Sequence, residues 1–250
     1  MNAQELKRKL NDHLKAMHLP AIRKNYEDII RRVEKENHSY ELFLYELLEC
    51  EYESRFNNKV ARLLRESKLP LEKSLENFQM KRLTPQVKTK VKSLLNGDFL
   101  DRRENVLAFG NSGSGKTHLL CAICQELIKQ GKRVYFTDCQ LLTQELLIAK
   151  RELRLPKVIK KLSKYEAIFI DDIGYVQQER NEMEVLFTFL SSRYEQGSVL
   201  LTSNLPFSKW EAIFKDPVIT AAAIDRLVHH SVIIEMNYKS FRLEEAQKKV

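Results

Sequence analysis

Gly110-Asn111-Ser112-Gly113-Ser114-Gly115-Lys116-Thr117 reads G-x-x-x-x-G-K-T, a pattern shaped to hold phosphate. The apolar run Val106-Leu107-Ala108-Phe109 before it suits a buried strand. The run His118-Leu119-Leu120-Cys121-Ala122-Ile123-Cys124 after it suits a helix. Strand, loop and helix in that order are the setting the pattern requires. Gly110, Gly113 and Gly115 let the backbone turn several N–H groups toward one phosphate. Asn111, Ser112 and Ser114 fill the loop between them. The helix opening near Lys116 adds the positive end of its dipole. Lys116 reaches β- and γ-phosphate oxygens, and the Thr117 hydroxyl is placed for Mg2+. Only 7 glycines occur in the chain, so three between 110 and 115 are not an effect of composition.

The 250 residues allow one large domain, or a small one attached to a larger. A hydrophobic content of 43% supports a sizeable core, and 30% charged residues argue against a membrane protein. No apolar run approaches the roughly 18 residues of a transmembrane helix. Met1 to Arg8 lacks the apolar core of a signal peptide, so the expected location is cytoplasmic. The net charge of +8 points to an anionic partner larger than a nucleotide, and nucleic acid fits. Cys121 and Cys124 form C-x-x-C without a second pair. They read as small buried side chains and not as a zinc site.

Residues 1–70 are expected to form a small all-helical N-terminal domain. Leu6, Leu10, Leu14 and Met17 recur at helical spacing, as do Ile22, Tyr26, Ile29, Ile30 and Val33. Pro20 separates these two runs, and Ser39 is placed to cap a long helix from Tyr40 to about Ser67. This module is read equally well as a plain helical bundle or as a docking module for DNA or protein. Residues 71–250 are expected to form the phosphate-loop domain, with a linker at about 71–100. Its last part runs through Val87, Val91, Leu94 and Leu95 and ends at Asn96-Gly97.

Beyond the loop helix, Gly131 is placed as its terminator, and Arg133 to Thr137 is the next strand. Strand, helix, strand makes a parallel sheet. The next segment, 140–164, turns strongly basic with Lys150, Arg151, Arg154, Lys157, Lys160, Lys161 and Lys164, and Pro156 is expected to break its helix midway. Such clustered cations suit a phosphate backbone, although a solvated helix face would show the same charges. Ala167-Ile168-Phe169-Ile170-Asp171-Asp172 then delivers two carboxylates at the end of a strand, where open α/β sheets bind ligands. Asp171 suits the Mg2+ shell beside Thr117. Asp172 faces the other way and suits orientation or deprotonation of a water. Asn204 ends the following strand, within reach of a γ-phosphate or its attacking water. Pro206 to Phe214 reads as a short helix carrying Trp210. Arg226 is either a surface arginine or one supplied to a neighbouring subunit's ATP. His229 and His230 have no paired ligands and read as structural.

In this order the motifs resemble the initiator branch of the AAA+ ATPases, and more narrowly the IstB-type transposition helpers, relatives of the helicase loader DnaC. The likeness runs from about Ser39 to Arg242. It includes Ser74-Leu75-Glu76-Asn77-Phe78, Asp171-Asp172-Ile173-Gly174, Thr202-Ser203-Asn204-Leu205, Asp225-Arg226-Leu227 and Ser240-Phe241-Arg242. The resemblance implies an α/β fold, a parallel-sheet AAA+ domain beside a smaller helical domain. It also implies ATP and Mg2+ as cofactors and oligomers on double-stranded target DNA that work with a transposase in a bacterial cytoplasm. Lys116 and Thr117 match Walker A, Asp171 and Asp172 Walker B, Asn204 sensor 1, and Arg226 an arginine finger acting in trans. The basic segment matches the helices that face DNA. Asp172 stands where most AAA+ members have Glu, which leaves ATP binding expected and slows expected hydrolysis. Too little chain follows Met236 for a helical lid domain. The alternatives are a DnaC-like helicase loader, a small-molecule kinase, or a scaffold that binds ATP without hydrolysing it.

Overall fold

The computed structural model describes residues 1–174, 180–210, 217–238 and 240–241. They divide into two compact units, the first ending at Arg62 and the second beginning at Leu63.

The first unit contains α1 (Ala3–Ala16), α2 (Pro20–Glu36) and most of α3 (Tyr40–Ser67). Leu14, Ile22 and Tyr26 form its small core, with Leu19, Ile30 and Leu47 packed around them. Leu19, at the N-cap of α2, has no side chain to satisfy the free N–H groups there. Glu51 of α3 does so instead. It is 5% exposed, and its carboxylate accepts from Ala21 N at 2.8 Å and Ile22 N at 3.2 Å. The negative charge also lies at the favourable end of the α2 dipole. Leu63, Ser67 and Leu69 are buried in the second unit, so the division lies within α3 and before residue 70.

The second unit is built on five parallel strands: β1 (Asn105–Phe109), β2 (Val134–Asp138), β3 (Ala167–Ile173), β4 (Ser198–Ser203) and β5 (Ser231–Glu235). Their spatial order is β2-β3-β4-β1-β5. Every residue of β1 and β4 is buried, as a parallel sheet covered on both faces demands. Leu107, Phe109, Ile168, Ile170, Val199 and Leu201 face one core. That core is closed by α7 (Cys139–Arg151), α9 (Arg180–Arg193) and α10 (Pro217–Val228), which pack on one another. The helix α6 (Lys116–Lys129) packs on β1, β2 and β4, and α4 (Pro85–Leu95) packs on α6 and β5. A short α5 (Asp98–Asp101) leads into β1.

Helix ends follow the local chemistry. Gly97 and Gly131 take left-handed backbone where α4 and α6 stop. The expected break in this segment falls just before Pro156. α7 ends at Arg151, Leu153 takes φ +57°, and α8 (Leu155–Leu162) begins with Pro156 in its first turn. A proline there loses no helical bond, because that N–H has no partner anyway. The expected helix from Pro206 to Phe214 is, in its described part, a 3-10 turn at Phe207–Lys209, and 211–216 lie outside the described residues. Trp210 is fully buried and donates from Nε1 to Leu205 O at 3.2 Å. Among the described residues no helix is long and apolar enough to cross a membrane.

Asn105 ties three elements together at the start of β1. Its Nδ2 donates to Leu227 O at 3.0 Å and its Oδ1 accepts from Val199 N at 2.9 Å, both buried. Asn105→Ala leaves two backbone groups without partners, a loss of about 1–3 kcal/mol for each such group. Urea unfolding of the variant is expected to show that loss; an unshifted midpoint would mean the two groups find other partners.

Candidate nucleotide site

The chain leaves β1 into the glycine loop at the C-terminal edge of the sheet. Gly110 has φ +147°, and a Cβ there would lie 2.2 Å from Met236 O. Gly113 has φ +75°, and its Cβ would lie 2.1 Å from Ser240 Oγ. No larger residue fits either position without moving the chain. Gly115 is the N-cap of α6 and brings no capping side chain, so the first N–H groups of the helix stay available to an anion. Lys116 is 6% exposed, and its Nζ donates to Gly110 O at 2.8 Å and Asn111 O at 3.0 Å.

Asp171 and Thr117 meet as the sequence predicts. Thr117 Oγ1 donates to Asp171 Oδ1 at 2.8 Å. Thr202, one strand over, also donates to Asp171 Oδ1, at 2.5 Å, and accepts from Asp172 N at 2.8 Å. Asp172 has φ +57°, and the β3–β4 register shifts between Ile170 and Ile173. That bulge turns Asp172 out of the ladder and into the cavity beside the loop, where Asn204 also lies. Hydroxyl and carboxylate oxygens side by side are a hard-cation donor set, suited to Mg2+ that keeps most of its shell from water and phosphate. Among the described residues no cluster of three or more His, Cys, Asp or Glu side chains could hold a metal by itself. Burial pushes the Cys121 thiol up to about 12 and holds Cys124 well above the usual thiol value, so neither supplies a thiolate.

The cavity, about 270 Å3, has a second wall, built partly from the linker, where a base often packs before a phosphate-loop strand. Phe78, Arg82 and Leu83 of the linker face it, together with Tyr238 and Phe241 from beyond β5. The linker is held by the loop helix itself. Gln125 Nε2 donates to Pro70 O at 3.2 Å, Leu71 O at 3.4 Å and Lys73 O at 3.2 Å. His118 Nε2 lies 2.9 Å from Ser74 O, and its ring meets Phe78 edge-on at 5.2 Å. On the other side Phe241 N donates to Gly113 O at 3.0 Å, Arg82 lies 5.3 Å from the Phe241 ring centroid, and Thr84 N donates to Tyr238 OH at 3.2 Å. Only the aromatic pattern around Phe78 and Phe241 signals this wall in the sequence. Arg242, quoted with Phe241 above, lies outside the described residues.

The other predicted residues stand elsewhere. Arg226 is not among the residues lining this cavity. It donates to Ala222 O at 3.0 Å, lies over the Phe187 ring, and lines a separate cavity with Asn105 and Val199, at the N-terminal ends of β1 and β4. Lys150, Arg151, Arg154, Lys157, Lys160 and Lys161 are exposed along the end of α7 and on α8. Lys150 pairs with Glu184 and Arg154 with Glu152. Leu162 is buried and Leu155 and Val158 pack on the core, which leaves the α8 lysines on the open face.

Gln125→Leu removes the amide whose two N–H groups are shared among three linker carbonyls. The expected result is a fall of roughly three- to tenfold in ATP and ADP affinity alike, the worth of one or two net hydrogen bonds. Fluorescent-nucleotide titration checks it, and affinity equal to the parent's would show that the linker holds its place without Gln125.

The profile of the IstB-like ATP binding protein family matches residues 12–249. An insertion sequence ATP-binding protein of Sinorhizobium fredii is 39% identical over 96% of this chain and 79% of its own. The ATP-binding protein of insertion sequence IS5376 from Geobacillus stearothermophilus is 33% identical over 96% of each chain. Among solved structures, AMPPCP-bound DnaA from Aquifex aeolicus superposes with a TM-score of 0.58 at 18% identity. The match covers 73% of this chain but only 55% of that longer one. The DnaC helicase loader gives 0.54 at 17% identity, covering 61% of this chain and 89% of that one. These structural likenesses establish an AAA+-like α/β fold. By its family match and its relatives, the chain belongs to the IstB-like ATP-binding proteins.

Proposed function

We propose that this protein is an ATP-dependent helper that assembles on double-stranded target DNA and assists a transposase of its insertion sequence. The observation that carries the reading is the Thr117–Asp171 contact beneath a glycine loop that leads into a helix with no capping side chain. Insertion-sequence relatives support the setting.

In this reading the triphosphate enters the loop, and Lys116 gives up the Gly110 and Asn111 carbonyls for its β- and γ-oxygens. Thr117 and Asp171 would hold Mg2+, which supplies charge neutralisation at the phosphate oxygens. The base lies against the linker wall, between Phe78 and the Tyr238–Phe241 segment. Asp172, turned inward by the bulge, and Asn204 beside it position the attacking water; Asp172 accepts its proton. The short Asp172 side chain makes slow turnover the expected behaviour. Arg226, at the far edge of the sheet from its own loop, serves the nucleotide of a neighbouring copy. The first unit acts as an accessory domain and the second as the ATPase domain, and the open face of α8 meets the DNA backbone. A helicase-loading role on the same fold would differ in partner: co-purification with the replicative helicase instead of the transposase would favour it.

Lys116→Ala is expected to abolish ATP binding and with it any nucleotide-dependent assembly on DNA, read by fluorescent-nucleotide titration and electron microscopy; retained affinity would remove the loop from the account. Asp172→Asn should bind ATP normally but release no phosphate, and full turnover would assign another base. Replacing Lys157, Lys160 and Lys161 with Ala should weaken duplex binding and reduce the salt slope by about 2–3. An unchanged slope would move the DNA surface away from α8.

A further inference from the structure

Within the first unit, α3 carries an exposed apolar stripe. Tyr40, Leu44, Leu48 and Tyr52 recur every fourth residue, and Tyr45 lies beside them. Each is more than half exposed, from 56% at Leu44 and Leu48 to 91% at Tyr40. Tyr52 stacks on Phe56 one turn further on, with ring centroids 6.3 Å apart. From Tyr40 to Phe56 the stripe runs about 24 Å along the helix. It is not the side that builds the unit's own core. There Leu47 packs against Leu14, Ile22 and Tyr26, and Glu51 is buried at the start of α2. A helix that stays apolar on a second, open side marks an interaction surface. The small core of the first unit also leaves it much to gain from further burial.

The charges along α3 select the occupant. Glu41, Glu46, Glu49 and Glu53 lie in the part before Ser54, and Arg55, Lys59 and Arg62 follow it. A helix divided in this way matches its own reverse. Antiparallel alignment of two copies, with Leu48 on the two-fold axis, sets Leu44 opposite Tyr52, Tyr40 opposite Phe56 and Glu41 opposite Arg55, each twice. Arg55 is bonded to Glu51 of its own helix, yet its side chain is 59% exposed and open to a second carboxylate. Parallel alignment would set Glu41 against Glu41 and Arg55 against Arg55. Duplex DNA would meet the glutamates that flank the stripe, and they repel its phosphates.

We propose that a second copy of this chain covers the stripe, α3 against α3 and antiparallel, in a dimer that needs no nucleotide. The pairing is isologous and closes at two copies. It is separate from the ATP-dependent assembly on DNA and does not rest on it.

The test uses the full chain carrying Lys116→Ala, so that nucleotide plays no part, in sedimentation equilibrium. A dimer is expected. Leu48→Glu puts two like charges on the axis and should weaken it about a hundredfold or more. Leu48 is exposed in the single chain, so this change leaves the core intact. Glu41→Arg, which faces Arg55 twice, should weaken it about threefold or more. Register is read by oxidising single cysteines in a Cys50→Ser background, the other three native cysteines being buried. Leu48→Cys should link to itself. Leu44→Cys should link to Tyr52→Cys when the two chains are mixed, and not to itself. A chain that stays monomeric at about 0.1 mM overturns the proposal, as do Leu44→Cys chains that link to one another. A monomer whose α3 gains amide protection only with added transposase or DNA gives the stripe to that occupant and overturns it as well.

Discussion

Asp171 is the knot of the second unit. Its carboxylate, 9% exposed, accepts hydroxyls from Thr117 on the loop helix and Thr202 on the neighbouring strand. Thr202 passes the constraint on by receiving the Asp172 N–H. One carboxylate therefore sets the loop helix against β3, β3 against β4, and Asp172 against the cavity. Buried carboxylates are tolerated where such hydrogen bonds satisfy them, and a bound cation would add to that satisfaction.

The cavity beside this knot is closed by chain that is distant in sequence. The linker before β1 and the segment after β5 both reach the glycine loop, one through Gln125 and His118, the other through Phe241 and Gly113. The loop glycines are needed on two counts. Their backbone angles shape the loop, and their missing side chains let Met236 and Ser240 approach. Tyr238 and Phe241, beyond the last strand, line the cavity beside the loop.

A parallel sheet has two unlike edges, and this chain places charge at both. At the C-terminal edge, Asp171 and Asp172 gather beside the loop. At the N-terminal edge, arginines gather around Arg193. Asn105 reaches from the first residue of β1 to β4 and α10, and so holds the arginine cavity in shape. The two edges belong to different surfaces of one domain.

Much of this was legible in residue order. The glycine loop, its flanking strand and helix, the Asp171-Asp172 strand and the parallel sheet all follow from short patterns, because each depends on neighbours a few positions apart. The α4 stop at Gly97 and the α6 stop at Gly131 are equally local. The break before Pro156 is local as well, while the packing of Leu155, Val158 and Leu162 on the core is not read from spacing alone. The left-handed turn of Asp172 and the grip of Gln125 on the linker were decided by tertiary structure alone. Each arises where segments far apart in the chain are pressed together, and hydrogen bonds and burial at such meetings leave no spacing in the sequence to announce them.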